Sequence, residues 1–135
     1  EELENAGVAA LTIEDTLLPR QYGIGATKLI SIDEGVGKIK SALEGRTDSE
    51  LVIAGRTGAF QISGATEAIR RAQAYQQAGV DAVFFTGWTT QEQLKAVCDS
   101  ISIPIMLGTL SEELSDRKYL ASMGVRIALQ GHLPK

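Results

Sequence analysis

Two consecutive carboxylates, one arginine and one histidine stand where short apolar runs end. Glu14-Asp15 follow the run at 8–13, Arg56 ends the stretch 51–55, and His132, the single histidine, follows the run at 125–129. A carboxylate pair leaving a buried strand suits a hard cation such as Mg²⁺, held directly or through water. The same pair can instead be structural, with Asp15 turning the loop and Glu14 pairing with a nearby cation. A guanidinium at the end of a buried strand needs an anionic partner, because an unpaired buried charge costs several kcal/mol. A substrate carboxylate gripped bidentately would serve, and so would a structural Asp or Glu. The imidazole of His132 suits hydrogen bonding to a substrate or proton transfer, or it is a solvent-exposed residue near the chain end.

The elements that would position these groups are legible as runs and stripes. Five apolar runs, at 8–13, 51–54, 82–85, 103–107 and 125–129, are continuous rather than alternating, which predicts strands buried on both faces of a parallel sheet. Amphipathic helices are predicted between them at 33–43, 65–78, 91–98 and 112–123, with a helical tail at 1–6. Ser31 is placed to cap toward Glu34, Thr89 toward Glu92 and Ser111 toward Leu114, while Gly79 and Gly124 mark helix ends. Strict β-α alternation predicts parallel strands with helical crossovers. It fits a flavodoxin-like open sheet or part of an eight-stranded barrel. Both put ligands at the carboxyl ends of the strands, which directs attention to Glu14-Asp15, Arg56-Thr57, Thr86-Gly87, Gly108-Thr109 and Gly131-His132. The segment 16–30, with Pro19, Gly23 and Gly25, is long enough to be a binding loop or lid.

Other reactive side chains read as structural. Thr57 and Thr109 are expected to cap or turn, Cys98 to be a buried thiol, and Trp88 to pack under a loop. Gly23-Ile24-Gly25 follows no strand and opens no helix, and Val36-Gly37-Lys38 lacks the upstream glycine and the Ser/Thr of a phosphate loop, so no nucleotide site is supported.

Composition is ordinary for a soluble globular chain. The 135 residues are 44% apolar and 22% charged, which excludes disorder, fibrous repeats and a disulfide scaffold. Thirteen cationic and 17 anionic side chains give a net charge of −4, no electrostatic reason to expect nucleic acid. No apolar run approaches the roughly 20 residues of a membrane span. A lone Cys98 fits a reducing, cytoplasmic setting. The chain lacks an initiator methionine and closes just after a strand-like run, so both ends are expected to be cut.

The stretch Ala6-Gly7-Val8-Ala9-Ala10-Leu11-Thr12-Ile13-Glu14-Asp15 resembles the AGVAGxxIED strand of the isocitrate lyase/phosphoenolpyruvate mutase superfamily. Ile53-Ala54-Gly55-Arg56-Thr57-Gly58-Ala59 resembles its IxARTxA strand, and Glu34-Gly35-Val36-Gly37-Lys38-Ile39, Ala72-Gln73-Ala74-Tyr75 and Ala78-Gly79-Val80-Asp81 are of the same type. The likeness spans almost the whole chain and is nearest to the oxaloacetate decarboxylase branch, through Glu14-Asp15-Thr16-Leu17-Leu18-Pro19, Arg56 and Gly131-His132. The carbon–carbon lyases of the superfamily carry a Lys-Arg/Lys-Cys-Gly-His motif after the first of these strands. Here Pro19-Arg20-Gln21-Tyr22-Gly23 has neither cysteine nor histidine.

The resemblance implies an α/β fold, a (β/α)₈ TIM-type barrel of which this chain covers about strands 4–8 as one partial-barrel domain over 1–135. It implies Mg²⁺-dependent decarboxylation of oxaloacetate, or a similar keto-dicarboxylate, with Mn²⁺ as the alternative ion. Arg56 and His132 would contact substrate, Glu14 would hold a metal-bound water and Asp15 would support that shell. The direct metal aspartate and a substrate serine come from earlier strands, absent here. Gly58 stands where many relatives have Asp or Asn, and Gly108-Thr109 keeps the relatives' threonine without the lyases' asparagine. A homo-oligomer is implied for the full-length parent, although the exchanging helices after the last strand are missing, and the isolated 135 residues are expected to be inactive. A lyase or phosphonomutase of the same superfamily and a non-catalytic (βα)₅ module are the rival readings.

Overall fold

The computed structural model describes residues 1–19, 25–87 and 89–129. After a short helix α1 (Glu2–Asn5), the chain runs β1 (Ala10–Glu14), α2 (Ile32–Glu44), β2 (Val52–Thr57), α3 (Ala59–Ile62), α4 (Ala65–Ala78), β3 (Ala82–Phe85), α5 (Gln91–Cys98), β4 (Ile105–Leu107), a 3-10 turn (Glu112–Leu114), α6 (Arg117–Ser122) and β5 (Val125–Ala128). All five strands pair in parallel in the order β1-β2-β3-β4-β5. Each crossover therefore delivers the next strand to the same side of the last, as in a barrel wall. A doubly wound sheet would place its first strand inside, so the flavodoxin-like alternative is set aside. Among the described residues no helix is long and apolar enough to cross a membrane.

Side-chain alternation gives the sheet two faces. One carries Ile53, Val83, Phe85, Ile105, Leu107 and Val125, buried against Ile39 of α2, Ala68, Ala72 and Tyr75 of α4, Leu94 and Val97 of α5 and Leu120 of α6. The opposite face is open in places: Val52 is 38% exposed and Ile127 47%. The apolar runs thus mark strands covered by helices on one side, with the second side only partly shielded in this chain. Below the strands, Asp81 accepts from Arg46 at 2.7 Å and from the Ile53 N–H at 2.8 Å, tying the entry ends of β2 and β3.

Most helix signals hold, and some shift. Ser31 Oγ accepts from the Glu34 N–H at 3.1 Å, and Gly79 ends α4 in the left-handed region at φ 104°. The cap of α5 lies one residue later than expected. Thr90, not Thr89, accepts from the Gln93 N–H at 3.1 Å, and Gln93 Oε1 accepts from the Thr90 N–H at 3.0 Å. The helix expected at 112–123 is divided. Ser111 makes no side-chain cap, whereas Asp116 accepts from the N–H groups of Lys118 and Tyr119 and starts α6 afresh. β4 is shorter than the run that predicted it, because Pro104 has no N–H to give the ladder. The one-turn α3 carried no sequence signal. The Thr57 hydroxyl accepts from the Ala59 N–H at 3.2 Å, the turning role expected of it.

Two glycines make room for Tyr75. A Cβ on Gly55 would stand 3.0 Å from its ring, and one on Gly35 would stand 2.7 Å from its hydroxyl. Replacing Gly55 by alanine is expected to destabilise the protein by about 1–3 kcal/mol, because the strand and the buried ring cannot both yield. Gly35→Ala gains up to about 1 kcal/mol of helix propensity but meets the hydroxyl. Its penalty should shrink in a Tyr75→Phe background while that of Gly55→Ala does not. Urea unfolding of the two glycine variants, Tyr75→Phe and the two double variants in the full encoded protein checks this.

Candidate functional site

The register that aligns β1 with β2 places Glu14 directly beside Arg56 and Arg56 beside Phe84. These three side chains share the face away from the helices. Arg56 Nη1 lies 3.3 Å from Glu14 Oε2, and its guanidinium carbon sits 5.8 Å from the centre of the Phe84 ring. Both partners of the pair are about one-third exposed, 39% for Arg56 and 31% for Glu14. An exposed pair of this kind contributes about 0–1 kcal/mol, little enough for an incoming anion to displace. Lys38 of α2 donates to the backbone carbonyl of Glu14 and fixes it from the loop side.

Around this pair lies a shallow cavity of about 250 Å³ at the carboxyl ends of β1, β2 and β3. Glu14, Arg56, Thr16, Thr27, Gln61 and Thr86 supply its polar wall. The segment 16–30 contributes Thr16 and Thr27 because its base is closed. Thr16 and Leu29 form an antiparallel bridge, and the Ile30 N–H donates to the Asp15 carbonyl at 2.9 Å.

Asp15 does not join Glu14 and Arg56. One residue further along, it turns to the helix side and is 2% exposed. Its Oδ2 accepts from Arg71 Nη1 at 2.9 Å and from the Tyr75 hydroxyl at 2.7 Å. Arg71 also donates to the Ile30 carbonyl at 2.8 Å and to Glu67 at 3.0 Å. Burial pushes the Tyr75 phenol well above its ordinary range, and the neighbouring Asp15 charge pushes it the same way. For Arg71, burial works against the charge, but the bonds to Asp15 and Tyr75 prevail and the net shift is upward.

The expected Arg56–His132 convergence, Gly131 and Trp88 lie outside the described residues. Cys98 is half-buried on α5, among packing residues. Sequence reasoning missed Arg71, although a cation on the Ala68/Ala72/Tyr75 stripe was the available signal. It also missed Gln61, whose helix is too short to show periodicity. As to a metal, among the described residues no group of three or more His, Cys, Asp or Glu could hold one. Glu14 fits an outer place, since its carboxylate is part-exposed on the cavity wall.

A family model described as phosphoenolpyruvate phosphomutase matches residues 1–134. A protein of Bradyrhizobium sp. (strain ORS 278) named oxaloacetate decarboxylase is 59% identical over 134 residues, which is 99% of this chain and 46% of that relative. The chain thus spans about half the length of the curated relatives it matches. Among solved structures, oxaloacetate acetylhydrolase in complex with the inhibitor 3,3-difluorooxalacetate superposes with a TM-score of 0.77 at 28% identity, over 94% of this chain and 45% of that one. Phosphonopyruvate hydrolase in complex with oxalate and Mg²⁺ gives 0.76 at 29%, over 96% and 46%. With the strand order, these likenesses make the five strands part of a TIM-type barrel.

The buried network sets two expectations for the full encoded protein. Arg71→Met should cost about 3–5 kcal/mol by leaving Asp15 charged and unpaired. Combining it with Asp15→Leu should recover most of that loss in urea unfolding. Because the Tyr75 phenol is held above its ordinary value of about 10, the unfolded phenol ionises first as pH rises. Stability from this group is therefore whole below pH about 10 and lost above it. Tyr75→Phe should flatten that alkaline decline.

Proposed function

Because the chain belongs to the phosphoenolpyruvate phosphomutase family, we propose that the protein carrying it is a carboxy-lyase that decarboxylates oxaloacetate, or a similar small keto-dicarboxylate, to pyruvate and CO₂. The observation that carries this reading is the Arg56 guanidinium. It stands at the carboxyl end of β2, on a cavity wall, and among the described residues its ion-pair partner is the part-exposed Glu14 carboxylate 3.3 Å away.

Loss of CO₂ from a β-keto acid breaks the bond between the carboxylate carbon and the α-carbon. The bonding pair moves into the former ketone, leaving an enolate that takes up one proton to give pyruvate. Arg56 binds a substrate carboxylate with its planar fork and so holds the scissile bond perpendicular to the carbonyl plane, where cleavage overlaps with the developing π system. Phe84 lies along the guanidinium and limits its swing. His132 would hydrogen-bond substrate, as the family resemblance implies. Glu14 would hold a water on the divalent ion, Mg²⁺ or Mn²⁺, and Asp15 would support that shell, the roles the family resemblance implies. When bound, the ion supplies positive charge at the oxygen where the enolate develops. A carbon–carbon lyase that uses a loop thiol as its acid is disfavoured by residues 19–23, which include no cysteine. Assembly into a homo-oligomer belongs to the same reading and rests on the family resemblance.

The full encoded protein should release pyruvate from oxaloacetate with Mg²⁺ present. Chelation should abolish turnover, and Mg²⁺ or Mn²⁺ should restore it. Arg56→Ala should lower kcat/KM about a hundredfold, the effect of losing a charge-assisted fork, and His132→Ala should lower it as well. Parental efficiency in both variants would end this assignment.

A further inference from the structure

The cavity takes part of its polar wall from the two arms of the segment 16–30, and a side chain on α4 holds those arms together. The arms meet in a short antiparallel stem. Thr16 bridges Leu29, the Leu17 N–H donates to the Lys28 carbonyl at 2.8 Å, and the Ile30 N–H donates to the Asp15 carbonyl at 2.9 Å. A two-stranded ribbon this short is marginal in water. Burial of the first arm adds little, because Leu17 is 42% exposed and Leu18 62%. The stem nonetheless puts Thr16 from one arm and Thr27 from the other on the cavity wall, beside Glu14 and Arg56.

Arg71 supplies what the ribbon lacks. Each nitrogen of its buried fork has its own acceptor. Nη1 donates to Asp15 Oδ2 at 2.9 Å, Nη2 to the Ile30 carbonyl at 2.8 Å and Nε to Glu67 Oε1 at 3.0 Å. Asp15 stands just before the first arm and Ile30 ends the second, so one rigid guanidinium spans the stem. Glu67, one turn earlier on α4, aims the fork. We infer that Arg71 is a positioning residue of the ligand cavity: from α4 it clamps residues 15 and 30 together, and so fixes Thr16 and Thr27 on the wall that substrate meets. This rests on the decarboxylase reading and deepens it. In that reading Arg56, His132 and the divalent ion engage the charges of the substrate. Thr16 and Thr27 shape the wall, and contribute to ground state and transition state alike. Loss of the clamp should therefore raise KM and spare kcat.

The test compares Arg71→Lys with Tyr75→Phe in the full encoded protein. Both weaken the hold on Asp15. Only Arg71→Lys releases the Ile30 carbonyl, because lysine keeps the charge but has one nitrogen where the fork has three. A lysine-specific protease under native conditions reads the stem, since cutting after Lys28 requires its ladder to open. In Arg71→Lys the fragment beginning at Leu29 should form about tenfold faster, the scale of a lost hydrogen bond to a charged group. Cutting after Lys95, on α5, should stay unchanged. KM for oxaloacetate with Mg²⁺ should rise in the same variant, with kcat within about twofold of the parent. Tyr75→Phe should leave all these readouts at parental values. If Arg71→Lys does not fold, Glu67→Ala, which frees Nε alone, should move the Lys28 cut and KM the same way by about twofold, the scale of an i,i+4 ion pair. Equal acceleration in Arg71→Lys and Tyr75→Phe, no acceleration at Lys28, or a faster cut without a rise in KM would overturn the inference while wild-type pyruvate release continues. A wild-type protein that releases no pyruvate would overturn the decarboxylase reading, and the protease comparison would still decide the clamp.

Discussion

A carboxylate at 2% exposure cannot remain charged without partners, and the shape of this chain follows from how Asp15 obtains them. Its Oδ2 needs Arg71 and Tyr75, both on α4, one turn apart on the face that packs on the sheet. For Tyr75 to reach, its ring must pass between α2 and β2, which only Gly35 and Gly55 permit. The fork of Arg71 has further N–H groups to satisfy, and these go to Glu67 and to the Ile30 carbonyl. One buried anion thus sets the spacing of β1, β2, α2 and α4 and closes the base of the segment 16–30.

The same chemical pair, carboxylate with guanidinium, occurs twice within one register position and does opposite work. Asp15–Arg71 is sealed among helices, where breaking it strands a charge. Glu14–Arg56 is open to solvent, where each partner can be hydrated in the other's absence. Burial alone separates a structural strut from a site that can exchange its partner for a ligand.

The order of elements was legible because apolar runs and stripes report what is buried, and the strand-end rule singles out the positions of Glu14 and Arg56. Four features were not legible. Ser111 and Asp116 both look like caps, and only packing decides that the chain starts α6 at Asp116. Thr89 and Thr90 are adjacent hydroxyls, and the pairing of Thr90 with Gln93 rather than Thr89 with Glu92 depends on where the backbone leaves β3. Arg71 lies on the apolar Ala68/Ala72/Tyr75 stripe, which marks the face it occupies, but a sequence does not show that its partner is a buried anion 56 residues away. Strand order, which separated a barrel wall from a doubly wound sheet, is likewise a property of contacts between distant segments.

Glu14 and Asp15 show why the site has the form it does. Side chains on an extended backbone alternate, so two consecutive carboxylates cannot face the same way. If Asp15 is committed to the helices, Glu14 must face the cavity, and in parallel register Arg56 must stand beside it. The positions are therefore not independent. A one-residue slip of β1 against β2 would turn Asp15 toward the cavity and bury Glu14 among the helices, where its longer side chain would collide with Tyr75. The buried network holds the register, and the register aims the guanidinium. A helix on one side of the sheet in this way fixes the geometry of a ligand site on the other without touching it.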